Sequence, residues 1–243
     1  MKIVNAIWEK RNLGVDVVEI TCSEQDTIDE LVATIDRINV PYSIIKIPTG
    51  CVPLLLAAQN YGYLVIENTF HYESSLKNIQ TPRIYERFVS KVSVQPADEC
   101  LINQALDEIK NGVIFTTDRI AEDPAFSKGI AGIRYYNWCV DVLNGDGIMK
   151  VAYYKDEPVA FNISQKDSGR TDVVYGVIGG MFANSLNKGL GFLLVQCEME
   201  CCKTLGGKIC AGATSSNNIQ SLRLHMKYGF DIVSSSYVLI KHK

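Results

Sequence analysis

The stretch that most constrains the fold runs from Val173 to Leu205, VVYGVIGGMFANSLNKGLGFLLVQCEMECCKTL. It opens as an apolar, glycine-interrupted strand and passes a polar loop ending Asn187-Lys188-Gly189-Leu190-Gly191. Leu190, Leu194, Cys197, Cys201 and Leu205 then recur at helical spacing and make one apolar stripe. Gly206-Gly207 ends the helix, as glycine commonly does just past a last turn. A strand that feeds a Gly-x-Gly turn at a helix start lets backbone N–H groups converge on an anion, and the helix dipole adds partial positive charge. The segment is therefore built to hold a phosphate group. Turn glycines without a ligand would give the same local pattern. Neither a G-x-x-x-x-G-K-[ST] run nor the third glycine of a dinucleotide fingerprint is present.

The chain has 243 residues, enough for one large domain or two small ones. Apolar residues at 47% and charged residues at 21% describe a globular protein with an ordinary core. A net charge of −3 argues against general binding to nucleic acid or anionic membrane. No apolar run approaches the ~20 residues of a membrane span, and MKIVNAIWEKRN lacks the apolar region of a signal peptide. The eight cysteines sit inside apolar or helical patterns without the spacing of a secreted disulfide framework. A cytoplasmic protein is expected. Cys197, Cys201, Cys202 and Cys210 lack paired C-x-x-C spacing, so no metal is expected.

In chain order, residues 1–21 read as one or two strands, Ser23–Val40 as a helix, and Tyr42–Ile47 as a strand. Val52–Tyr61 reads as a helix and Leu64–Phe70 as a strand. The polar segment 74–83, with Pro82, suggests a boundary between domains at 1–78 and 79–243. Ile84–Val94 then alternates as a strand, Asp98–Lys110 is an amphipathic helix, and Val113–Thr116 a short strand. Glu122–Gly129 is expected as a loop and Arg134–Leu143 as a helix. Ile148–Tyr154 and Pro158–Gln165 form a hairpin across Lys155-Asp156-Glu157. After the central segment come strand Lys208–Ala213, helix Asn218–Tyr228 and strand Ile232–Ile240. The order implies a mixed sheet of the α+β or α/β kind. A faint repeat sets helix, Tyr61-Gly62-Tyr63 and strand against helix, Tyr228-Gly229-Phe230 and strand. On that register Asn218 falls on Cys51 and His225 on Ala58, so the first half keeps the architecture without the polar residues.

From the hairpin onward the chain resembles the GCN5-related N-acetyltransferase superfamily. Leu186-Asn187-Lys188-Gly189-Leu190-Gly191 stands where that family's Q/R-x-x-G-x-G/A pyrophosphate loop stands. The run from Ser216 through Asn218 and His225 to Tyr228-Gly229-Phe230 looks like its second signature. More narrowly, the chain looks like the TDP-fucosamine acetyltransferase group. Trp8 with Gly14, Asp123-Pro124-Ala125-Phe126, Arg134-Tyr135-x-x-Trp138 and Thr214-Ser215-Ser216-Asn217-Asn218 carry that likeness. Two positions depart from the pattern: Leu186 replaces a usual Gln or Arg, and His225 a usual tyrosine acid.

The resemblance implies a twisted, mostly antiparallel mixed sheet flanked by helices, preceded by a degenerate βαβαβ half-domain of the same kind. It implies acetyl-CoA as co-substrate and transfer to the amino group of a nucleotide-linked amino-deoxy sugar. The alternatives are another small amine or protein amine, or acyl-CoA binding without catalysis. The expected cofactor contacts are Gly180, Met181 and Phe182 on the central strand, Leu186, Asn187, Lys188, Gly189, Leu190 and Gly191 in the loop, and Asn218. Gly179-Gly180 would suit a bulge that opens the strand edge to the amide-rich pantetheine arm. Asn218 is equally well placed as a helix N-cap. His225 is the candidate general acid, Asp172, Tyr175 and Glu157 are candidate bases, and Trp8, Tyr135 and Trp138 are candidate acceptor contacts. Open sheet edges are compatible with a homodimer.

Overall fold

A computed structural model describes residues 1–114, 117–186 and 188–243, without the side chain of Lys128. The strands are β1 (Lys2–Asn5), β2 (Val17–Thr21), β3 (Tyr42–Pro48), β4 (Leu64–Ser75), β5 (Val92–Pro96), β6 (Ile148–Tyr154), β7 (Glu157–Lys166), β8 (Val173–Met181), β9 (Ile209–Ser215) and β10 (Asp231–His242). The helices are α1 (Ile7–Leu13), α2 (Ile28–Ile35), α3 (Val52–Asn60), α4 (Arg83–Val89), α5 (Glu99–Lys110), α6 (Arg119–Glu122), α7 (Lys128–Asn144), α8 (Leu193–Thr204) and α9 (Ile219–Lys227). The strands form one sheet in the order β1-β2-β3-β10-β4-β9-β8-β7-β6-β5. Among the described residues β2–β3 and β8–β9 are its parallel pairs, and the others are antiparallel.

The sheet is built from two matching runs. β1–β4 and β7–β10 have the same order of parallel and antiparallel pairs, with α2 matching α8 and α3 matching α9. The last strands are exchanged: β10 lies against β3, and β4 against β9. α3 and α9 each have nine residues and open on N-caps of similar conformation, Cys51 (φ −78°, ψ 56°) and Asn218 (φ −102°, ψ 64°). Each then ends on tyrosine and a left-handed glycine, Gly62 (φ 83°) and Gly229 (φ 87°), which turns the chain into the next strand.

Packing follows the strand alternation. In the first half, α2 and α3 cover Ile20, Ile45, Ile47 and Leu239, while Val17, Tyr42, Ile44, Val238 and Ile240 face α1, α6 and α7. In the second half, α8 packs on Ala152, Ala160 and Val174, and α5 with α7 on Val151, Phe161, Ile163 and Ile178.

Several elements differ from the sequence reading. Residues 7–13 form a helix, closed by left-handed Gly14 (φ 73°), whose N–H bonds the Lys10 carbonyl at 2.9 Å. The helix expected over 23–40 is shorter, because the Thr27–Glu30 capping box starts it at Ile28. Residues 84–94 are α4 followed by β5 rather than one strand. Tyr85 and Phe88, one helical turn apart, both meet Phe192, with ring centroids 4.6 and 5.8 Å away. Part of the loop expected over 122–129 is taken by the start of α7. α8 begins at Leu193, so Leu190 sits in the turn before it. The strand expected at Val113–Thr116 lies partly outside the described residues; Val113 and Ile114 form a bend. The hairpin turn is one residue shorter than expected, because Glu157 already pairs with Tyr154; Lys155 (φ 53°) and Asp156 (φ 66°) are both left-handed, as a tight two-residue turn requires.

Candidate functional site: a cleft where two parallel strands part

β8 and β9 pair from Val173 with Ile209 to Gly176 with Gly212, and then separate. β8 continues to Met181 bonded only to β7, and β9 continues to Ser215 bonded only to β4. The parting coincides with a bulge: Ser164 faces Gly176 and Ile163 faces Ile178, so Val177 is the extra residue. A bulge sharpens local twist and swings the strand from its neighbour. The bulge therefore lies at Val177 and not at Gly179-Gly180. Those glycines admit close neighbours instead. A Cβ on Gly180 would lie 2.8 Å from Phe161 Cζ, and one on Gly179 would lie 3.0 Å from Asn162 Nδ2. In the matching first-half pair, β2 stays joined to β3 along its whole length.

A cleft of about 1250 Å³ opens between the separated strands. One end is walled by β8 beyond Gly176, by Leu186, Gly189 and Gly191, and by the starts of α8 and α9. Among the described residues, the backbone N–H groups of Lys188, Gly189, Leu190, Gly191 and Phe192 bond no carbonyl. Gly189 is left-handed (φ 72°), and a Cβ on Gly189 or Gly191 would meet nothing within 4 Å. The turn thus leaves backbone donors without a carbonyl partner at a helix start, with open space over both glycines, which fits an anion. α2, at the matching position in the first half, instead closes its own N-terminus with Thr27 and Glu30. Arg223 and Lys227 line the same end of the cleft without a carboxylate partner among the described residues. Asn187, an expected contact, lies outside the described residues.

Asn218 caps α9: its Oδ1 accepts from Ser221 N–H at 3.1 Å, and it also lines the cleft. Gly180 and Met181 lie on the unpaired edge. Phe182 does not offer a free group. Its ring is buried, its N–H donates to Val159 and its carbonyl accepts from Ser185.

His225 is buried, stacked on Tyr72 with centroids 4.1 Å apart. Nδ1 meets the Ser221 carbonyl at 2.8 Å and Nε2 meets Glu198 Oε2 at 3.0 Å. A carbonyl only accepts, so Nδ1 carries a hydrogen. A proton must then lie between Nε2 and Glu198. Both ring nitrogens are engaged, and neither is presented to the cleft as a spare donor. Tyr228 is buried too, its hydroxyl 3.3 Å from the Phe192 carbonyl, and burial pushes its pKa to about 12.

Trp8 from α1 and Tyr135 and Trp138 from α7 line the other end of the cleft, with the Tyr135 and Trp138 rings stacked at 6.2 Å. Of the candidate bases, Asp172 and Glu157 are exposed and do not line the cleft, because they sit at the starts of β8 and β7. Tyr175 lines it, with its hydroxyl pushed up to about 12 by burial and by Glu198.

The sequence reading missed a charged cluster behind the aromatic residues. Glu9 on α1 accepts from Arg134 Nε at 2.8 and 2.9 Å and from Arg119 Nη2 at 3.0 Å. Burial would raise the Glu9 carboxyl, but Arg134 and Arg119 outweigh it and hold it below the usual range. Nearby, Glu67 stands on the cleft floor of β4 with Thr69 and His71, and burial pushes its carboxyl up. The period-2 run Glu67, Thr69, His71 was the available signal of a polar strand face. Glu9, Arg119 and Arg134 are joined only by the fold. Among the described residues no His, Cys, Asp or Glu cluster could hold a metal ion, and no helix is long and apolar enough to cross a membrane.

No protein-family model and no curated protein matches this sequence. Solved structures do match. The GCN5-related N-acetyltransferase from Kribbella flavida is 12% identical over 93% of this chain and 81% of its own, with a TM-score of 0.56. The one from Sphaerobacter thermophilus is 11% identical over 83% of this chain, with a TM-score of 0.56. A tandem GNAT protein from the clavulanic acid biosynthesis pathway is 9% identical over 83% of this chain, with a TM-score of 0.53. This chain spans 59% of the Sphaerobacter protein and 64% of the tandem one. The fold is that of the GCN5-related N-acetyltransferases.

Proposed function

We propose that the chain is an acetyl-CoA-dependent N-acetyltransferase. The observation that carries this reading is the unpaired β8 edge running beside an open N–H cradle within one cleft. The pyrophosphate of the co-substrate suits the turn at Lys188–Gly191, with Arg223 and Lys227 nearby. The amides of its pantetheine arm suit the edge from Val177 to Met181, as a strand added to a sheet does. Asn218 keeps Oδ1 on its own helix, which leaves Nδ2 for an acceptor on the arm. The amine attacks the thioester carbonyl, and an edge N–H is placed to stabilise the oxyanion. His225 and Glu198 tie α9 to α8 and so set the geometry of this wall rather than donate to the leaving sulfur.

For the acceptor, the sequence resemblance points to a nucleotide-linked amino-deoxy sugar, and the grouping of Trp8, Tyr135 and Trp138 supports a planar base at that end. A small unphosphorylated amine is the second reading. It is favoured because the cations around that end, Arg11, Lys46, Arg119 and Arg134, are each paired with a carboxylate. Mass spectrometry of acetyl-CoA incubated with TDP-linked 4-amino-4,6-dideoxy sugars, polyamines and amino acids tests both. An acetylated product is expected. Cofactor binding without product from any amine would leave an acyl-CoA-binding protein, and no binding would end the proposal.

A further inference from the structure

α1, α6 and α7 cover only part of the sheet face they pack on. Beneath them the strands present Val17, Tyr42, Ile44, Val238 and Ile240. Further along the same face the strands turn polar, with Glu19 and Thr21 on β2, Lys46 on β3, Ser236 on β10 and Thr69 on β4. The registers set these side chains in a row. Thr21 lies opposite Lys46, and Thr69 lies opposite both Ser236 on β10 and Ser215 on β9. The whole row lines the cleft, and it crosses four strand spacings from β2 to β9, about 19 Å. Its hydrogen-bonding capacity is largely unspent. The hydroxyls of Thr21, Thr69 and Ser236 have no partner among the described residues. Beside them Glu67 is 7% exposed with Oε2 unpartnered, and Asp118 Oδ2 and Arg119 Nε also lack a hydrogen bond among the described residues. Buried polar atoms left unpaired are costly, so this floor suits a ligand that carries many small donors and acceptors.

Three observations narrow the chemistry of that ligand. β3, β10 and β4 are each paired on both sides, so their amides are spent and only side chains face the cleft, which leaves nothing for a peptide backbone. Each cation at this end is matched by a carboxylate: Lys46 by Glu19 at 2.7 Å, Arg11 by Asp141 at 2.6 Å, and Arg119 and Arg134 by Glu9. A phosphate would find no spare charge. Serine and threonine hydroxyls both donate and accept, as ring hydroxyls do, and the half-exposed rings of Trp8 and Trp138 suit the flat apolar face of a sugar. We propose that this floor is a glycan subsite, holding the uncharged, hydroxyl-bearing rings of an oligosaccharide whose far end reaches β8. This deepens the unphosphorylated reading of the acceptor, and it rests on the N-acetyltransferase reading only for what happens at β8. It also gives the first half of the sheet a task. β2 and β3 stay joined along the whole of β2, which keeps the floor unbroken where a parting like that of β8 and β9 would split it.

Saturation-transfer NMR on the full chain with coenzyme A present tests this with ligands that carry no amine. The probes are maltotriose, cellotriose, triacetylchitotriose and methyl glucoside, against 1,6-hexanediol and TDP. The expected result is binding of at least one trisaccharide, tighter than methyl glucoside because more rings meet the floor, with none of the diol. The double change Thr69→Val with Ser236→Ala should weaken that trisaccharide by ~10-fold, as loss of two hydrogen bonds does. Coenzyme A should bind the double variant and the unmodified protein equally, which shows that the variant is folded. Absence of binding by every saccharide, equal affinity in the double variant, equal binding of the diol, or displacement of the bound sugar by TDP would each overturn the proposal. Acetylation separates the two readings. Saccharide binding that depends on Thr69 and Ser236, with no acetylated product from any amine, would leave the glycan subsite and end the acetyltransferase reading. Acetylation of glucosamine and of its trimer with equal KM, in a protein that binds no amine-free saccharide, would do the reverse.

Discussion

Replacing Glu9 with glutamine removes the charge that ties three helices together behind the aromatic end of the cleft. Glu9 is 1% exposed and belongs to α1, Arg119 to α6 and Arg134 to α7. The amide has the volume of the carboxylate, so the change is electrostatic and not a cavity. It leaves two guanidinium groups, with side chains 12% and 11% exposed, against an uncharged amide, and only Arg134 keeps a carboxylate, Asp118, at 3.8 Å. Abandoning a buried charge in this way costs about 3–5 kcal/mol. At roughly 2–4 °C per kcal/mol for a chain of this size, the melting midpoint should fall by about 6–20 °C. The sign of the pH dependence follows from the carboxyl. Its folded-state pKa lies below the ordinary 4.5 of a glutamate, so its contribution is complete above that pH and is lost as pH falls through the folded value. Urea denaturation of both proteins, stepped from pH 7.5 to 3.5, should show a gap that narrows in acid. A loss under about 1 kcal/mol at pH 7.5, or a gap that widens in acid, would refute the reasoning.

Three further changes probe other parts of the molecule. His225→Phe keeps the ring stacked on Tyr72 but strands Glu198, which is 3% exposed; it should cost about 3 kcal/mol in urea, and adding Glu198→Met should restore most of it. Coenzyme A affinity should survive in the folded variant, and a His225→Phe protein of unchanged stability would sink the paired-proton reading. Gly212→Ala would place a Cβ 2.5 Å from the Tyr72 hydroxyl oxygen, so it should lose about 1–3 kcal/mol, and a neutral result would show that the ring can shift freely. A thiol reagent on the native protein should modify exposed Cys100 at once and half-buried Cys51 more slowly. The six buried thiols, with Cys22, Cys139 and Cys201 pushed up to about 12 by burial, should react only after unfolding. Rapid modification of a third cysteine would contradict the packing.

What the sequence determined by itself is the set of features that near neighbours specify. Apolar spacing marks β8 and α8, Gly189 and Gly191 mark the open turn, Asn218 marks the start of α9, and Lys155-Asp156 marks the hairpin. Even the repeat was visible, through Tyr61-Gly62-Tyr63 and Tyr228-Gly229-Phe230, because a helix stop and a turn glycine are local devices. The tertiary structure alone decided the rest. α4 was misread because Tyr85 and Phe88 answer to Phe192, a residue more distant in the chain than any periodicity window reaches. The exchange of β4 and β10, the bulge at Val177 and the parting of β8 from β9 depend on which strands become neighbours. The same holds for charge: Glu9 is 110 and 125 residues from Arg119 and Arg134, and nothing near it in sequence announces a partner. Glu67 reads as one polar residue in a strand until the fold buries it on the cleft floor. Periodicity and caps are written in adjacent residues, whereas desolvation and charge balance are properties of a place that exists only once the sheet has closed around it.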